Sequence, residues 1–420
     1  MKETVKLFLK EILIVAIAVA AGIAALAAAY FVPQSKMKEN AWESAILMHR
    51  EGLGSFMWPT VKMTQLDGYT DGLMLNTAYT ETDDGRRDIL LDTRVQVGGI
   101  NPMESFYEVI AMENKDYSVH TYGRYWHGYQ ILWRPLLCFF NYGEIRQINM
   151  AVQLALVFGF LYLLFSAGEK ALVIPFFGMY LFLTPLSLFS SMQFSPCFYL
   201  MILASMILVG FRDRLQDTRR NCLFLLVGIL TAFFDLLTYP FVTLGIPLIT
   251  YLATDRECRE DWKKSIKDIM FHTVSWGIGY VGMWGGKWVA ASVLTDENVI
   301  MDALNQVKYR SGHYEHGRSF LTTLWLNFDA CNMKSIWTVL IVLAVLLLAG
   351  VILNFRQNGV RLLPVTAMIL VVSLYPFLWY YLTMHHSSDN SYFTWREYSI
   401  CVYGGLTALG VNMGLSRKNT

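Results

Sequence analysis

Two aspartates four residues apart carry the sharpest chemical signal in this 420-residue chain: Asp67 and Asp71, in Leu66-Asp67-Gly68-Tyr69-Thr70-Asp71-Gly72-Leu73-Met74. On a helix that spacing puts both carboxylates on one face, while Leu66, Leu73 and Met74 can point to a membrane. Like charges so placed repel each other unless a cation or a substrate lies between them. The pattern supports two readings: a solvated face or helix N-cap, and a general base poised over the membrane. The pair also has the donor type for a divalent cation, but no complete ligand set accompanies it.

Cations and aromatic rings gather elsewhere. Tyr122-Gly123-Arg124-Tyr125-Trp126-His127-Gly128-Tyr129 runs into Ile131-Leu132-Trp133-Arg134-Pro135. Trp126, Tyr129 and Trp133 read as interfacial anchors. His127 and Arg134 divide between structural pairing and anion binding, because a cation beside acyl chains needs a partner. Lys287, in Trp284-Gly285-Gly286-Lys287-Trp288, either snorkels to the interface or holds a lipid phosphate. Asp235 is either polar glue between helices or a site carboxylate. The stretch from Lys308 to Arg318 is a basic loop that includes Arg310. Its His313, Glu315 and His316 lack the HExxH spacing, so no metal site is read there. His386 and Arg396 follow late in the chain, and the Arg396 guanidinium has the fork to grip a phosphate bidentately.

The elements that must position these residues are set by composition. At 55% hydrophobic and 16% charged residues, the chain falls well below the roughly 25% charge of soluble domains. A net charge of +1 gives no electrostatic basis for a nucleic-acid partner. The apolar runs are continuous rather than alternating, which excludes a β-barrel and points to an all-α polytopic membrane protein. The six Cys are scattered without metal spacing, most of them inside apolar runs, and read as small core residues.

Hydropathy places a first span at about residues 12–32, behind Lys2, Lys6 and Lys10, as an uncleaved anchor with a cytoplasmic N-terminus. A long external loop, 33–147, follows. Further spans are expected at 148–167, 171–189, 193–211, 222–238, 241–254, 269–294, 335–353, 362–383 and 398–414, giving about ten with both ends cytoplasmic. Arg212, Arg214, Arg219 and Arg220, then Arg256, Arg259, Lys263, Lys264 and Lys267, fall in the short cytoplasmic segments, as the positive-inside rule requires. So the chain divides into 1–32, the loop 33–147, spans 2–7 over 148–294, a second external loop 295–334, and spans 8–10 with the C-terminus over 335–420. A loop as long as the first needs its own structure, and Glu39–Arg50 patterns as an amphipathic interfacial helix with Trp42, Ala45, Ile46 and His49 on one side.

At this point the arrangement resembles the GT-C superfamily of integral-membrane glycosyltransferases, which includes protein O-mannosyltransferases, aminoarabinose transferases and polytopic transferases of bacterial surface polymers. The acidic element would be Leu66 to Asp71. The interfacial element would be Trp126-His127-Gly128-Tyr129 through Arg134-Pro135-Leu136-Leu137, with Glu144-Ile145-Arg146 opening the second span, and the late His386-Ser387, Phe393 and Arg396 match a donor-phosphate region. The resemblance implies transfer of a sugar from a polyprenyl-phosphate donor to a cell-envelope glycan acceptor at the outer face, with inversion. It implies Asp71 or Asp67 as base. Lys287, Arg396, His386, Arg134 and His127 would serve the donor phosphate, and Tyr125, Trp126, Arg310 and Arg318 the acceptor side. A groove between spans would hold the prenyl chain. No DxD is present, which argues against an oligosaccharyltransferase. A flippase for a lipid-linked sugar would need the same groove and cations but no base, and a non-catalytic part of a surface-polysaccharide machine would need neither. The charges gather at one membrane face and no internal repeat is visible, which favours the enzyme.

Overall fold

A computed structural model describes residues 2–312, 318–359 and 362–414, with side chains from Leu7 onward. The chain is 76% helical with almost no strand. It opens with α1 (Lys2–Ala29), followed by α2 (Gln34–Glu51), α3 (Gly68–Tyr79) and α4 (Gly85–Leu91). A short ribbon, β1 (Arg94–Gln96) and β2 (Ser118–His120), flanks α5 (Pro102–Ile110) and pairs antiparallel with Val95 opposite Val119. Then come α6 (Gln130–Leu137), α7 (Tyr142–Ser166), α8 (Val173–Phe182), α9 (Pro185–Ser190), α10 (Ser195–Gly210), α11 (Asp217–Phe234), α12 (Val242–Thr254) and α13 (Arg256–Glu260). The last third holds α14 (Trp262–Leu294), α15 (Val299–Ser311), α16 (Phe320–Ala330), α17 (Lys334–Asn358), α18 (Val365–Val372), α19 (Tyr375–Leu382), α20 (Met384–Asp389), α21 (Ser391–Thr394) and α22 (Ser399–Gly410).

The apolar segments expected to cross a membrane each fall on a helix or on two consecutive helices. Five stretches are long and apolar enough to span: Leu7–Ala29, Tyr142–Ser166, Met192–Gly210, Lys334–Asn358 and Val365–Leu382. The others depart from the simple picture for physical reasons. All of α12 is buried, wrapped by α10, α18 and α22, so it is a core helix with no lipid-facing side. Its 13 residues rise only about 20 Å, short of a hydrocarbon core of roughly 30 Å. α11 and α14 form the most intimate helix pair. A Cβ on Gly228 would lie 2.1 Å from the Trp276 carbonyl oxygen, so only glycine permits this approach.

The first long loop is a folded layer. Its α2 buries Met37, Ala41, Ser44, Ala45 and Met48. That stripe is turned from the expected one, since Trp42 is exposed and His49 stacks on Tyr107 at 3.8 Å. At Gly72 a Cβ would meet the Met103 Cβ at 2.4 Å, which sets how closely α3 lies on α5. Asn76 then ties α3 to its surroundings. Its amide donates to the Val95 and Pro102 carbonyls, and its oxygen accepts from the Val95 N–H, all at 2.9 Å.

Candidate functional site

The carboxylate pair sits at the start of α3. Asp67 is the N-cap, accepting from the Thr70 N–H at 2.9 Å and the Thr70 hydroxyl at 2.8 Å. It also accepts from the Gln193 side-chain amide and, at 3.1 Å, from the Tyr392 hydroxyl. Asp71, one turn on, accepts from the backbone N–H groups of Met192 at 3.0 Å and Gln193 at 2.9 Å, and from the Tyr142 hydroxyl. Those two N–H groups open the turn that leads into α10, so Asp71 caps a second helix from across the fold. Both aspartates are fully buried.

Burial dominates their titration. It raises the Asp67 carboxyl above its ordinary range, with the Thr70, Tyr392 and Gln193 donors opposing it. It pushes Asp71 up to about 7, opposed by the Tyr142 hydrogen bond and reinforced by the Asp67 charge. The donors differ in kind: Asp71 is held by two backbone N–H groups and the Tyr142 hydroxyl, whereas Asp67 has one backbone donor and three from the side chains of Thr70, Gln193 and Tyr392.

Arg396 is the cation that belongs to this cluster. It is wholly buried, and among the described residues no carboxylate lies within 4 Å of it. Its Nη2 donates to the Ser187 hydroxyl at 2.9 Å, its Nε has no partner, and the guanidinium lies 3.8 Å over the Phe194 ring. Burial lowers it to about 10, while the Tyr239 and Asp67 charges pull the other way.

The other residues marked by the sequence lie in different surroundings. Lys287 pairs with Asp92 at 2.9 Å, and Asp92 also accepts from Gln130 at 3.1 Å. In Arg134 every guanidinium nitrogen donates: Nε to the Ala29 carbonyl, Nη1 to that of Ala78, and Nη2 to that of Val32 and to Glu81. It closes the C-terminal ends of α1 and α3 together, a dipole-favoured place for a cation. His127 adopts a left-handed backbone (φ 47°), and its Nδ1 is 2.6 Å from the Tyr129 hydroxyl while its Nε2 has no partner. Burial, then the Lys287 charge, hold it neutral. His386 sits 2.8 Å from the Leu237 carbonyl, and burial lowers it to about 3, so it too is neutral. Tyr125 accepts from Arg310, and the Trp126 indole donates to the Met283 carbonyl at 2.8 Å. Arg318 reaches Asp389 at 3.8 Å in an exposed contact. Asp235 binds its own turn, accepting from the Thr238 N–H and hydroxyl. His313, Glu315 and His316 lie outside the described residues. Among the described residues, no three His, Cys, Asp or Glu side chains gather in a metal-ligating group.

Sequence reading missed Gln193, Tyr142, Tyr392 and Asp92. For Gln193 a signal existed: Ser190-Ser191-Met192-Gln193 interrupts an apolar run, marking a helix break where backbone donors are free. Beside this break runs an apolar groove of about 390 Å³, lined by Met74, Trp133, Ile148, Met192, Tyr199 and Phe234 among others. Met74 belongs to the helix that carries the aspartates, and the Met192 N–H is bound to Asp71. Met74 and Met192 thus border the groove and also belong to the segments that carry and cap Asp71, while neither aspartate lines it. No family model, curated protein or solved structure matches the chain.

Proposed function

We propose that the chain is a membrane glycosyltransferase that moves a sugar from a polyprenyl-phosphate donor to a cell-envelope glycan acceptor. In this reading it has about ten spans, cytoplasmic termini and an outward-facing site, as in GT-C enzymes. One observation carries it: an apolar groove of about 390 Å³ lies beside the segments that hold two buried carboxylates, one of them bound by side-chain donors and accompanied by an arginine that, among the described residues, has no carboxylate within 4 Å. Prenyl carbons fill the groove, which removes apolar surface from water and sets the phosphate at its polar end.

The chemistry then needs few parts. The acceptor hydroxyl gives its proton to an Asp67 oxygen as its own oxygen bonds to the anomeric carbon. The bond from that carbon to the phosphate oxygen breaks, and its electron pair leaves with polyprenyl phosphate, inverting the centre. Arg396 stabilises the negative charge growing on that phosphate in a site that excludes water. Asp71 fixes α3 against the start of α10 and so places Asp67. Lys287 is paired with Asp92 and every Arg134 nitrogen has an acceptor, so both keep the scaffold closed.

The test is reconstitution of the purified chain with a panel of polyprenyl-phosphate monosaccharides, measuring released polyprenyl phosphate with and without envelope glycan. Acceptor-dependent release that disappears in Asp67→Asn is expected. No release from any donor by folded protein would overturn the reading in favour of lipid-linked sugar transport.

A further inference from the structure

Away from Asp67 and Arg396, three arginines surround two stacked tyrosines. The Tyr122 and Tyr125 rings lie 5.2 Å apart with planes 22° from parallel. The Arg94 and Arg124 guanidinium carbons sit 5.9 and 4.4 Å over Tyr122, and that of Arg310 sits 5.3 Å over Tyr125. These residues come from β1, the segment before α6, and α15, so only the tertiary fold assembles them.

The charge in this cluster is not balanced. Arg124 pairs with Asp302 at 2.9 Å, but among the described residues neither Arg94 nor Arg310 has a carboxylate within 4 Å. The hydrogen-bonding capacity is not used either. Arg94 Nε and Nη1, Arg124 Nε and His127 Nε2 are all buried without a partner. His127 is 1% exposed, and its ring lies 5.5 Å edge-on to Tyr122. The Arg94 and Arg124 guanidinium groups use their faces on Tyr122, which leaves N–H edges free for an in-plane acceptor, whereas Arg310 spends an edge donor on the Tyr125 hydroxyl. Buried donors left in this state are costly, and guanidinium groups that converge with their edges open suit the oxygens of a phosphate.

We propose that Arg94, Arg124 and the His127 imidazole, with the Arg310 charge beside them, form a binding site for a phosphate monoester or diester. His127 Nε2, as the protonated nitrogen of a neutral ring, donates alongside the two open guanidinium edges, Tyr122 holds their planes in place, and the Tyr125 hydroxyl holds Arg310. The site stands whether or not the chain transfers a sugar.

The experiment uses the full chain in lipid nanodiscs and three titrants: polyprenyl monophosphate, a hexose 1-phosphate and inorganic phosphate, with neutral polyprenol as control. Binding is read by calorimetry and by the fluorescence of Trp284, whose ring packs against Tyr125. Saturable binding of at least one phosphate, and none of polyprenol, is expected. Arg94→Ala and Arg310→Ala should each weaken it about tenfold, as the loss of one charged hydrogen-bonding partner implies. Arg94→Lys, which keeps charge without the fork, should bind with intermediate affinity. Binding of polyprenyl phosphate alone assigns the phosphate to a lipid headgroup, and binding of either soluble phosphate assigns it to a water-borne ligand. Wild-type protein that binds none of the three overturns the proposal. So does a double Arg94→Ala/Arg310→Ala variant of unchanged thermal stability that binds like wild type.

Discussion

Lys287 and Asp92 form an ion pair at 2.9 Å in which neither side chain is exposed. The partners are 195 residues apart, so the pair locks α14 to the segment after α4. Breaking one side leaves an uncompensated buried charge, which costs about 3–5 kcal/mol. Lys287→Met is therefore expected to lower the unfolding temperature sharply and to reduce the amount of protein in the membrane. The double Lys287→Met/Asp92→Leu variant should recover most of that stability, since no charge is stranded. Equal loss in the single and double variants would show that the pair's geometry, not its charge, is what the fold needs.

The two aspartates separate by experiment because their donors differ. Asp67→Asn keeps an acceptor for the Thr70 N–H but cannot take a proton, so transfer should fall about 10²- to 10⁴-fold with little change in unfolding temperature. Asp71→Asn weakens the cap on the turn before α10, where charge-assisted hydrogen bonds are worth about 1.5–3 kcal/mol. Its main effect should be on stability, with a smaller loss of rate. Thermal unfolding and single-turnover transfer on the same preparations decide the assignment. A larger rate loss in Asp71→Asn, at normal stability, would exchange the two roles.

The contrast shows what the sequence could and could not disclose. Continuous apolar runs marked helices, five of which are long and apolar enough to cross a membrane, because burial of every side of a helix writes itself into composition. The depth of α12 could not be read, since a helix buried in protein and one buried in lipid have the same hydropathy. The spacing of Asp67 and Asp71 was legible, and so was the N-cap reading that Asp67 fulfils. Arg134 stayed ambiguous between anion binding and structure, because its acceptors are the terminal carbonyls of two helices that meet only in the fold. Asp92 and Arg94 carry no local motif at all. Their meaning comes from partners on α14 and from the ring of Tyr122.

Acidity should act on stability and rate in opposite directions. Burial raises Asp71 from 3.8 to about 7, so between these values the folded chain holds a proton that the unfolded chain has lost. Stability from this group is fully present below about pH 4 and is lost as pH rises through about 7. The unfolding-temperature difference between wild type and Asp71→Asn should thus change in wild type's disfavour from pH 5 to pH 8. Transfer needs Asp67 ionised, and Asp67 is also raised, so the rate should climb with pH on a limb above the usual carboxylate range. A rate that shows no rising limb above the usual carboxylate range would remove Asp67 as the base.

The groove offers a test of the donor that leaves the chemistry untouched. Leu203 lines it and is 43% exposed, so a larger side chain there fits without disturbing the core. Leu203→Trp should occupy the space that a prenyl chain would fill and raise the donor KM at least several-fold, with kcat for bound donor little changed. Shortening the donor's prenyl chain below the length that fills the groove should bring wild type and the variant toward the same KM, because wild type then loses buried methylenes, worth about 0.8 kcal/mol apiece, that the variant already excludes. If Leu203→Trp instead lowers kcat and leaves KM alone, the groove does not hold the donor chain, and the lipid must approach Asp67 from another side of the bundle.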